Sequence, residues 1–401
     1  MAAQSGALLV INSGSSSVKF ALFAAHQELS RLNSGALEQI GLAHSRFYVE
    51  DSAGKILFAQ EPALANHRAA LELLIKAVKQ QLAGRPLCAV GHRVVHGGAD
   101  CDCPLPVTRE LETRLQRLIP LAPLHLPHNL AGMAAVRELQ PDLPQIACFD
   151  TAFHHSLPRL AKLTTLPREF QDAGILRYGF HGLSYEYVVD ALRNDGVDVE
   201  HERIVVAHLG NGASMCALRN GRSVETTMGF STLAGLMMGT RSGDVDPGAV
   251  LHLLTAKGMS ADEVQKLLYE RSGLHGVSGI SSDMRELLSR RDDPAAREAI
   301  DLFCYRARQH LGALTTALGG LDRFVFTGGI GANAPEIRSR ICEGLSYLGI
   351  TLDSKANGAR AKTISAPGAA LTVQALLSDE EYMIARHVLR VTTGHLAEVE
   401  A

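Results

Sequence analysis

The sequence has almost no net charge to spend: 39 Lys and Arg stand against 42 Asp and Glu, leaving −3 over 401 residues. Without a basic surplus there is no global field for nucleic acid or an anionic membrane, so neither is expected as a partner. An anionic small substrate would have to be met by local Arg and Lys. A disulfide framework is also missing. The seven cysteines are odd in number and scattered from Cys88 to Cys342, which reads as cytosolic thiols. The first residues, MAAQSGALLVINSG, have neither a basic leader nor an apolar run long enough for a signal or a membrane span, so a soluble, cytoplasmic chain is expected. Neither G-x-x-x-x-G-K-[ST] nor G-x-G-x-x-G occurs, which removes Walker-type and Rossmann nucleotide sites. Spacing disfavours a zinc site: His92, His96, Cys101 and Cys103 match no common zinc pattern. His125 and His128 flank Pro127, which is expected to block the helical placement of a metal pair.

What is present is a globular composition, 46% apolar and 20% charged, in a chain long enough for two domains. Leu8–Ile11 reads as a buried strand that runs into Asn12–Ser17, and Val18–Phe23 as a second strand carrying Lys19. The same strand, small polar turn, strand pattern returns at Ile204–Ala207, His208–Ser214 and Met215–Leu218, followed by an Asn220-Gly221 hairpin turn. Aligning Gly14 with Gly212 also aligns Ser16 with Ser214, a short echo that suggests two related halves, each opening with a phosphate-facing hairpin.

Leu64–Leu82 has helical spacing, Thr108 begins a helix to about Leu118, and 121–129 is expected to be irregular before a short helix from Gly132 to Gln140. Gln145–Phe149 is a strand with Asp150 at its carboxyl end, where ligand chemistry concentrates in α/β proteins and where a helix N-cap is equally common. Arg93 sits in an apolar, strand-like run and needs an anionic partner. That partner is either an internal Asp or a ligand, and the neighbouring Gly97-Gly98 pair favours a ligand carboxylate or phosphate. Gly239–Gly248 places Arg241 with Asp244 and Asp246 on a glycine-flanked loop. Ser260 and Glu263 form a capping box, Gly273–Ile280 reads as a glycine-rich loop, and Pro294–Leu318 as one long helix. Phe324–Phe326 is a strand leading through Thr327–Asn333 to a helix from Pro335 to about Gly349, with a strand at Ile350–Leu352. Strand, glycine turn and helix suit backbone contact with a nucleotide. Acidic residues at Asp379–Glu381 lead a last helix to about Val391.

Ten stretches in order, VINSGSSSVKF, GHRVVHGG, LAPLH, FDTAFH, RYGFHG, HLGNGAS, MGTRSGDVDP, SGISSDMR, FTGGIGAN and SDEEYMIAR, resemble the acetate kinase family of short-chain acyl kinases over nearly the whole chain. The resemblance implies an α/β fold of two domains with duplicated actin-like (ribonuclease H-like) mixed-sheet cores around a central cleft. Residues 1–150 with 380–401 would form the N-terminal domain, and 151–379 the nucleotide-binding domain. It also implies a homodimer, and Mg²⁺ (with Mn²⁺ an alternative) in a reversible, direct in-line phosphoryl transfer between ATP and acetate that gives acetyl phosphate and ADP. Carried over by position, Asn12 and Glu380 hold the metal, while Asp150, His181 and Arg241 are catalytic. Arg93, Val95, Leu124, Phe180 and Thr232 meet the acyl substrate. Lys19, His208, Leu209, Gly210, Asn211 and Gly212 take phosphates, and Asp283, Met284, Arg285, Gly329, Ile330, Gly331, Ala332 and Asn333 the adenosine. Acetate is already ionised at neutral pH, so the acyl-phosphate direction needs no general base, and Asp150 is expected to orient the metal or position Arg and His.

The chain departs from the family pattern at a few places. Thr232 stands where Pro is common and Ala234 where an acidic residue is common. Leu126 and His128 replace Asn and Pro, and Ala332 replaces Glu. The Thr232 change reshapes the methyl pocket, so a kinase preferring propionate or butyrate is the nearest alternative. A Mg²⁺-dependent ATP phosphohydrolase on the same fold is the next.

Overall fold

The apolar run at the start becomes β1 (Ala7–Ser13), which turns into antiparallel β2 (Ser17–Ala24) with Asn12 paired to Lys19 and Ser13 to Val18. A computed structural model describes residues 6–14, 16–25, 28–42, 44–82 and 84–394; Ser15 of the first small polar turn lies outside them. Three further strands, β3 (Ser30–Glu38), β4 (Arg46–Asp51) and β5 (Ile56–Gln60), extend the sheet as an antiparallel meander. They mix polar and apolar residues without clean alternation, so their sequences did not announce them. Helix α1 (His67–Gln81) follows, its first turn capped by Asn66, and buries Leu71, Leu74 and Val78 at helical spacing. β6 (Leu87–Val94) then lies parallel to β1, and β8 (Gln145–Phe149) parallel to β6, with the short β7 (Leu105–Pro106) at the edge.

Between β7 and β8 run α2 (Arg109–Arg117), capped by Thr108, and α3 (Leu126–Leu139). The start of α3 corrects the expectation of an irregular 121–129. Pro127 lies in the first helical turn, where a missing N–H leaves no bond unmade, so the helix begins six residues earlier than Gly132.

The contacts divide the chain into two compact units: one takes the described residues up to Ala152 and again from Asp379, the other Phe153–Ser378. The second unit starts with two short helical turns, α4 (Arg159–Lys162) and α5 (Arg168–Asp172), then α6 (Gly182–Asn194). Its sheet has five strands in the order β11-β10-β9-β12-β13, built from β9 (Ile204–Leu209), β10 (Ala213–Arg219), β11 (Arg222–Thr226), β12 (Arg323–Thr327) and β13 (Thr372–Ala375). The β9–β10 pairing sets His208 opposite Ser214 and Leu209 opposite Ala213. By this register Gly14 matches Gly210 and Lys19 matches Ser214. The first turn is longer, which shifts the Gly14-to-Gly212 alignment read from the sequence.

Between β11 and β12 the chain forms α7 (Pro247–Thr255), α8 (Ala261–Glu270), α9 (Gly273–Ser278), α10 (Met284–Ser289) and α11 (Pro294–Leu318). The expected capping box of Ser260 and Glu263 is formed, and α11 ends on Gly319 in the left-handed region. The stretch expected as a glycine-rich loop is instead α9. Gly273 takes φ +63°, and a methyl there would lie 2.2 Å from the Met238 carbonyl oxygen, so the glycine is there for close backbone approach.

After β12, α12 (Gly328–Asn333) starts at once and α13 (Pro335–Cys342) follows, ending well before Gly349. The expected strand at 350–352 is reduced to one bridge, Leu352 with Ser365, beside α14 (Ser354–Gly358). Finally α15 (Glu380–Thr393) packs on the first unit's sheet, where Gly91 makes room: a methyl there would come within 2.5 Å of Ile384 and 2.7 Å of Val388. Two mixed sheets with the same central order and directions make the duplicated, actin-like α/β fold. Among the described residues no helix is long and apolar enough to cross a membrane.

Candidate active site

In the first unit, β6 and β8 are adjacent parallel strands, so their carboxyl ends present Arg93 and Asp150 side by side. Arg93 donates Nε–H to Asp150 Oδ1 at 3.0 Å and Nη2–H to Oδ2 at 2.6 Å, a bidentate pair in which the carboxylate is buried. Glu380, at the start of α15, brings Oε2 to 3.5 Å from Arg93 Nε. Burial alone would lower the arginine's pKa, but the Asp150 and Glu380 charges more than offset it and hold it above the ordinary value. The internal Asp is therefore a partner of Arg93, which corrects the leaning toward a ligand alone; Nη1 is the guanidinium nitrogen that Asp150 leaves available.

Asn12, next to last in β1, is half-buried, and Lys19 is exposed across from it on β2. Val95 is buried and Leu124 half-buried. Asn129, which the sequence did not single out, ties these parts together. Its side chain donates to the Ser13 carbonyl at 3.0 Å and accepts from the Val95 N–H at 3.2 Å.

Among the described residues no group of three or more His, Cys, Asp or Glu could hold a metal, and three of the four residues considered for zinc have other partners. His92 Nε2 lies 2.7 Å from the Gln145 amide, His96 Nδ1 accepts from the Gly98 N–H, and Cys101 Sγ from Arg114. His128 sits on α3 after all, stacked on His67 with ring centroids 5.0 Å apart.

In the second unit, His181 precedes α6 with φ +59°, a left-handed conformation unusual for a residue with a Cβ. The backbone before it is fastened from outside. His154 Nε2–H donates to the Phe180 carbonyl at 2.9 Å, and its Nδ1 takes a bond from Ser223 at 2.8 Å. Burial pulls the His154 pKa down to about 4, which keeps it neutral. Gly179, at φ +75°, lets that ring in: a methyl there would lie 2.6 Å from it.

The His181 side chain is held too. Nδ1 is 2.9 Å from Ser214 Oγ, and the ring stacks on His208 at 4.4 Å and 19°. Arg241 Nη1–H donates to the Thr232 carbonyl at 3.4 Å. A methyl on Gly212 would sit 3.2 Å from His181 Nε2 and 3.9 Å from Arg241 Nη1, so both nitrogens converge over the β9–β10 turn. The Arg241 loop is pinned by the Ser272 N–H to the Thr240 carbonyl and by the Thr240 hydroxyl to the Tyr269 carbonyl. The loop's two aspartates are structural. Asp244 Oδ1 accepts from the Gly235 N–H, and Asp246 caps α7.

Beside this turn lies a cavity of about 910 Å³. Gly210, Asn211, Asp283, Met284, Arg285, Gly329, Ile330 and Asn333 line it, with Glu336 and Arg360 that sequence reading missed. Leu209, Gly212, Gly331 and Ala332 do not line it. Leu209 is buried in β9, and the Gly331 and Ala332 carbonyls accept from the fully buried Arg338 at 2.8 and 2.7 Å. Gly328, at φ +75°, brings α12 onto β9, since a methyl there would be 2.6 Å from the Leu209 carbonyl oxygen. Asp283 caps α10 while pairing with Arg285, whose hydrogen bond lowers the carboxyl's pKa.

A model of the acetokinase family matches residues 7–386. The chain belongs to the acetokinase family. Its relatives include an acetate kinase of Rhodopseudomonas palustris, 51% identical over 397 residues that cover 97% of this chain and 99% of that one. The crystal structure of Porphyromonas gingivalis acetate kinase is 38% identical and superposes with a TM-score of 0.87, covering 96% of this chain and 100% of that one. A propionate kinase structure from Francisella tularensis is 34% identical with a TM-score of 0.89, covering 95% and 98%. Backbone shape does not separate the two kinds of kinase, since both superpose on this acetokinase about equally well.

Proposed function

We infer that this acetokinase is an acetate kinase, catalysing reversible phosphoryl transfer between ATP and acetate by direct in-line displacement. The observation that carries the reading is the 51% identity with an acetate kinase over nearly the full length of both chains, set against 34% for the propionate kinase. The geometry supports it. Phosphoryl transfer asks a protein mainly for positioning and charge neutralisation, and two arginines with a histidine are suited to that.

In this reading Arg93 Nη1 meets the acetate carboxylate, and Val95 and Leu124 in the first unit and Phe180 and Thr232 in the second are the residues assigned to its methyl group. Asp150 fixes the Arg93 guanidinium plane rather than acting as a base, because the carboxylate nucleophile carries no proton at neutral pH. Arg241 and His181 Nε2 meet the transferring phosphoryl oxygens above Gly212, and Lys19 and the His208–Gly212 turn meet the other phosphates. The cavity beside α10 and α12 takes the adenosine. Asn12 and Glu380 offer hard oxygen donors of the kind Mg²⁺ accepts, with phosphate and water completing its shell. Bound there, Mg²⁺ (or Mn²⁺) would neutralise phosphate charge.

For assembly we infer a homodimer. None of the residues of α7, PGAVLHLLT, is buried, although the helix is largely apolar, and Leu251 and the neighbouring Val245 are exposed. Seven free thiols suit a reducing cytoplasm.

The test is hydroxylamine trapping of acyl phosphate from Mg·ATP with acetate, propionate or butyrate, beside an Arg241→Ala control. Hydroxamate is expected with acetate in the lead, falling about 10³-fold or more in the variant. Propionate or butyrate ahead of acetate would move the assignment to those acids. ADP release without hydroxamate would replace it with ATP hydrolysis.

A further inference from the structure

Two imidazoles of the Phe153–Ser378 unit are held crosswise. His181, just ahead of α6, bonds through Nδ1 to Ser214 of β10 at 2.9 Å. His208, the register partner of Ser214 on β9, bonds through Nδ1 to Ser184 in the first turn of α6 at 2.7 Å. Each ring is thus gripped by the element that carries, or pairs with, the other. With both Nδ1 atoms taken, both Nε2 atoms face the β9–β10 turn: a methyl on Gly212 would lie 3.2 Å from His181 Nε2, and one on Gly210 3.7 Å from His208 Nε2. The network runs one step further inward. The hydroxyl of the fully buried Tyr185 bonds to the equally buried Ser214 Oγ.

We propose that Tyr185 and Ser214 are positioning residues that fix His181 as its neutral Nε2–H tautomer, so that it meets a phosphoryl oxygen as a hydrogen-bond donor. This rests on the reading of His181 given above. Ser214 has one hydroxyl proton and two neighbours, His181 Nδ1 and the Tyr185 hydroxyl. A phenol, with a pKa of about 10, is the more acidic hydroxyl and the better donor, so its proton lies toward Ser214 Oγ. The serine proton then lies toward His181 Nδ1, which must accept. A neutral imidazole that accepts at Nδ1 carries its proton at Nε2. The opposite tautomer would aim a lone pair at an anion that itself only accepts. No proton moves in this arrangement; the two hydroxyls set where it already is, as outer partners of functional histidines commonly do.

The experiment is ¹⁵N-edited NMR of the histidine side chains in the full-length protein, with the His181 signal identified by its loss in His181→Gln. The wild type should show the Nε2–H pattern. Ser214→Ala should convert it to a tautomer mixture and lower kcat about 10–100-fold, the usual range for an outer partner. KM for ATP and acetate should stay within about threefold, because substrate binding is not what is lost. Tyr185→Phe should move both readouts in the same direction by less. An Nδ1–H or doubly protonated His181 in the wild type would overturn the proposal even if Ser214→Ala failed to fold. So would a Ser214→Ala enzyme with unaltered tautomer and kcat. If His181→Gln is inactive while those hold, only the relay falls; if His181→Gln keeps wild-type kcat, the role of His181 falls with it.

Discussion

In the first unit β3-β2-β1-β6-β8 run antiparallel, antiparallel, parallel, parallel, and in the second β11-β10-β9-β12-β13 repeat that series. At matching places in the two central hairpins the first has Asn12 facing Lys19 and the second His208 facing Ser214. The first unit organises its site with charge: Arg93 between Asp150 and Glu380. The second holds its His181–His208 pair with neutral groups, imidazoles and hydroxyls, and even its fully buried Arg338 is satisfied by the Gly331 and Ala332 carbonyls and by Asn357. One repeated topology thus supports two ways of fixing side chains. Ion pairs tolerate a nearby anionic ligand only if one donor stays unspent, as Arg93 Nη1 does. Hydroxyl networks fix orientation without adding charge beside a polyanion.

The sharpest way to break this contrast is to remove one partner from each network. Asp150→Ala leaves a largely buried guanidinium without its bidentate partner, facing the more distant Glu380 and Glu381 charges, and should cost about 3–5 kcal/mol in urea unfolding. Ser223→Ala, which removes one neutral bond to His154, should cost about 1 kcal/mol. Equal losses would show that charge is not what distinguishes the units.

Acid should separate them next. Burial lowers the pKa of His92 and His96 in the first unit, and of His154 in the second, to about 4. A folded pKa below the unfolded one means the unfolded chain binds more protons, so stability falls as pH drops. The contribution is whole above the unfolded value near about 6.5 and is lost as pH falls to about 4, with a slope of roughly 1.4 kcal/mol per pH unit per histidine. With two such histidines against one, the first unit should lose amide-exchange protection sooner between pH 6.5 and 4. Parallel loss in both units would contradict the assignment.

The smallest effect belongs to Lys19→Ala. The side chain is exposed, so unfolding should change by less than about 0.5 kcal/mol. KM for ATP should rise while kcat for bound substrates changes less; a stability loss larger than that of Ser223→Ala would make Lys19 structural instead.

The central strands were legible because β1, β8, β9 and β12 are short apolar runs ended by small or polar residues, and the capped helices α2, α8 and α11 because their end signals are local. β3 to β5 were not legible, since their face pattern depends on pairing partners far from helical or alternating order. Pro127 misled because proline breaks a helix everywhere except in the first turn, and a one-residue difference in placement decides which. At the site, glycine-flanked Arg241, His181 and Gly210–Gly212 could be picked out from the sequence. The residues that hold them could not. Tyr185, Ser184, Asn129 and His154 look like ordinary helix or turn residues until the fold brings their polar atoms within bonding distance.

The strand ladder of the first unit is finished in sequence by Phe149, yet the helix that packs on it at Gly91 begins at Glu380, after the whole of Phe153–Ser378. On the ribosome, where chains emerge at about 5–20 residues per second and usually fold amino end first, this order is inverted. The middle unit has all its parts and can close while the earlier sheet still shows an apolar face around Gly91. That face must wait for α15, or be shielded by a chaperone, for the time it takes to synthesise more than half the chain. Arg93 receives its second carboxylate only then, so the Asp150–Arg93–Glu380 cluster is completed last.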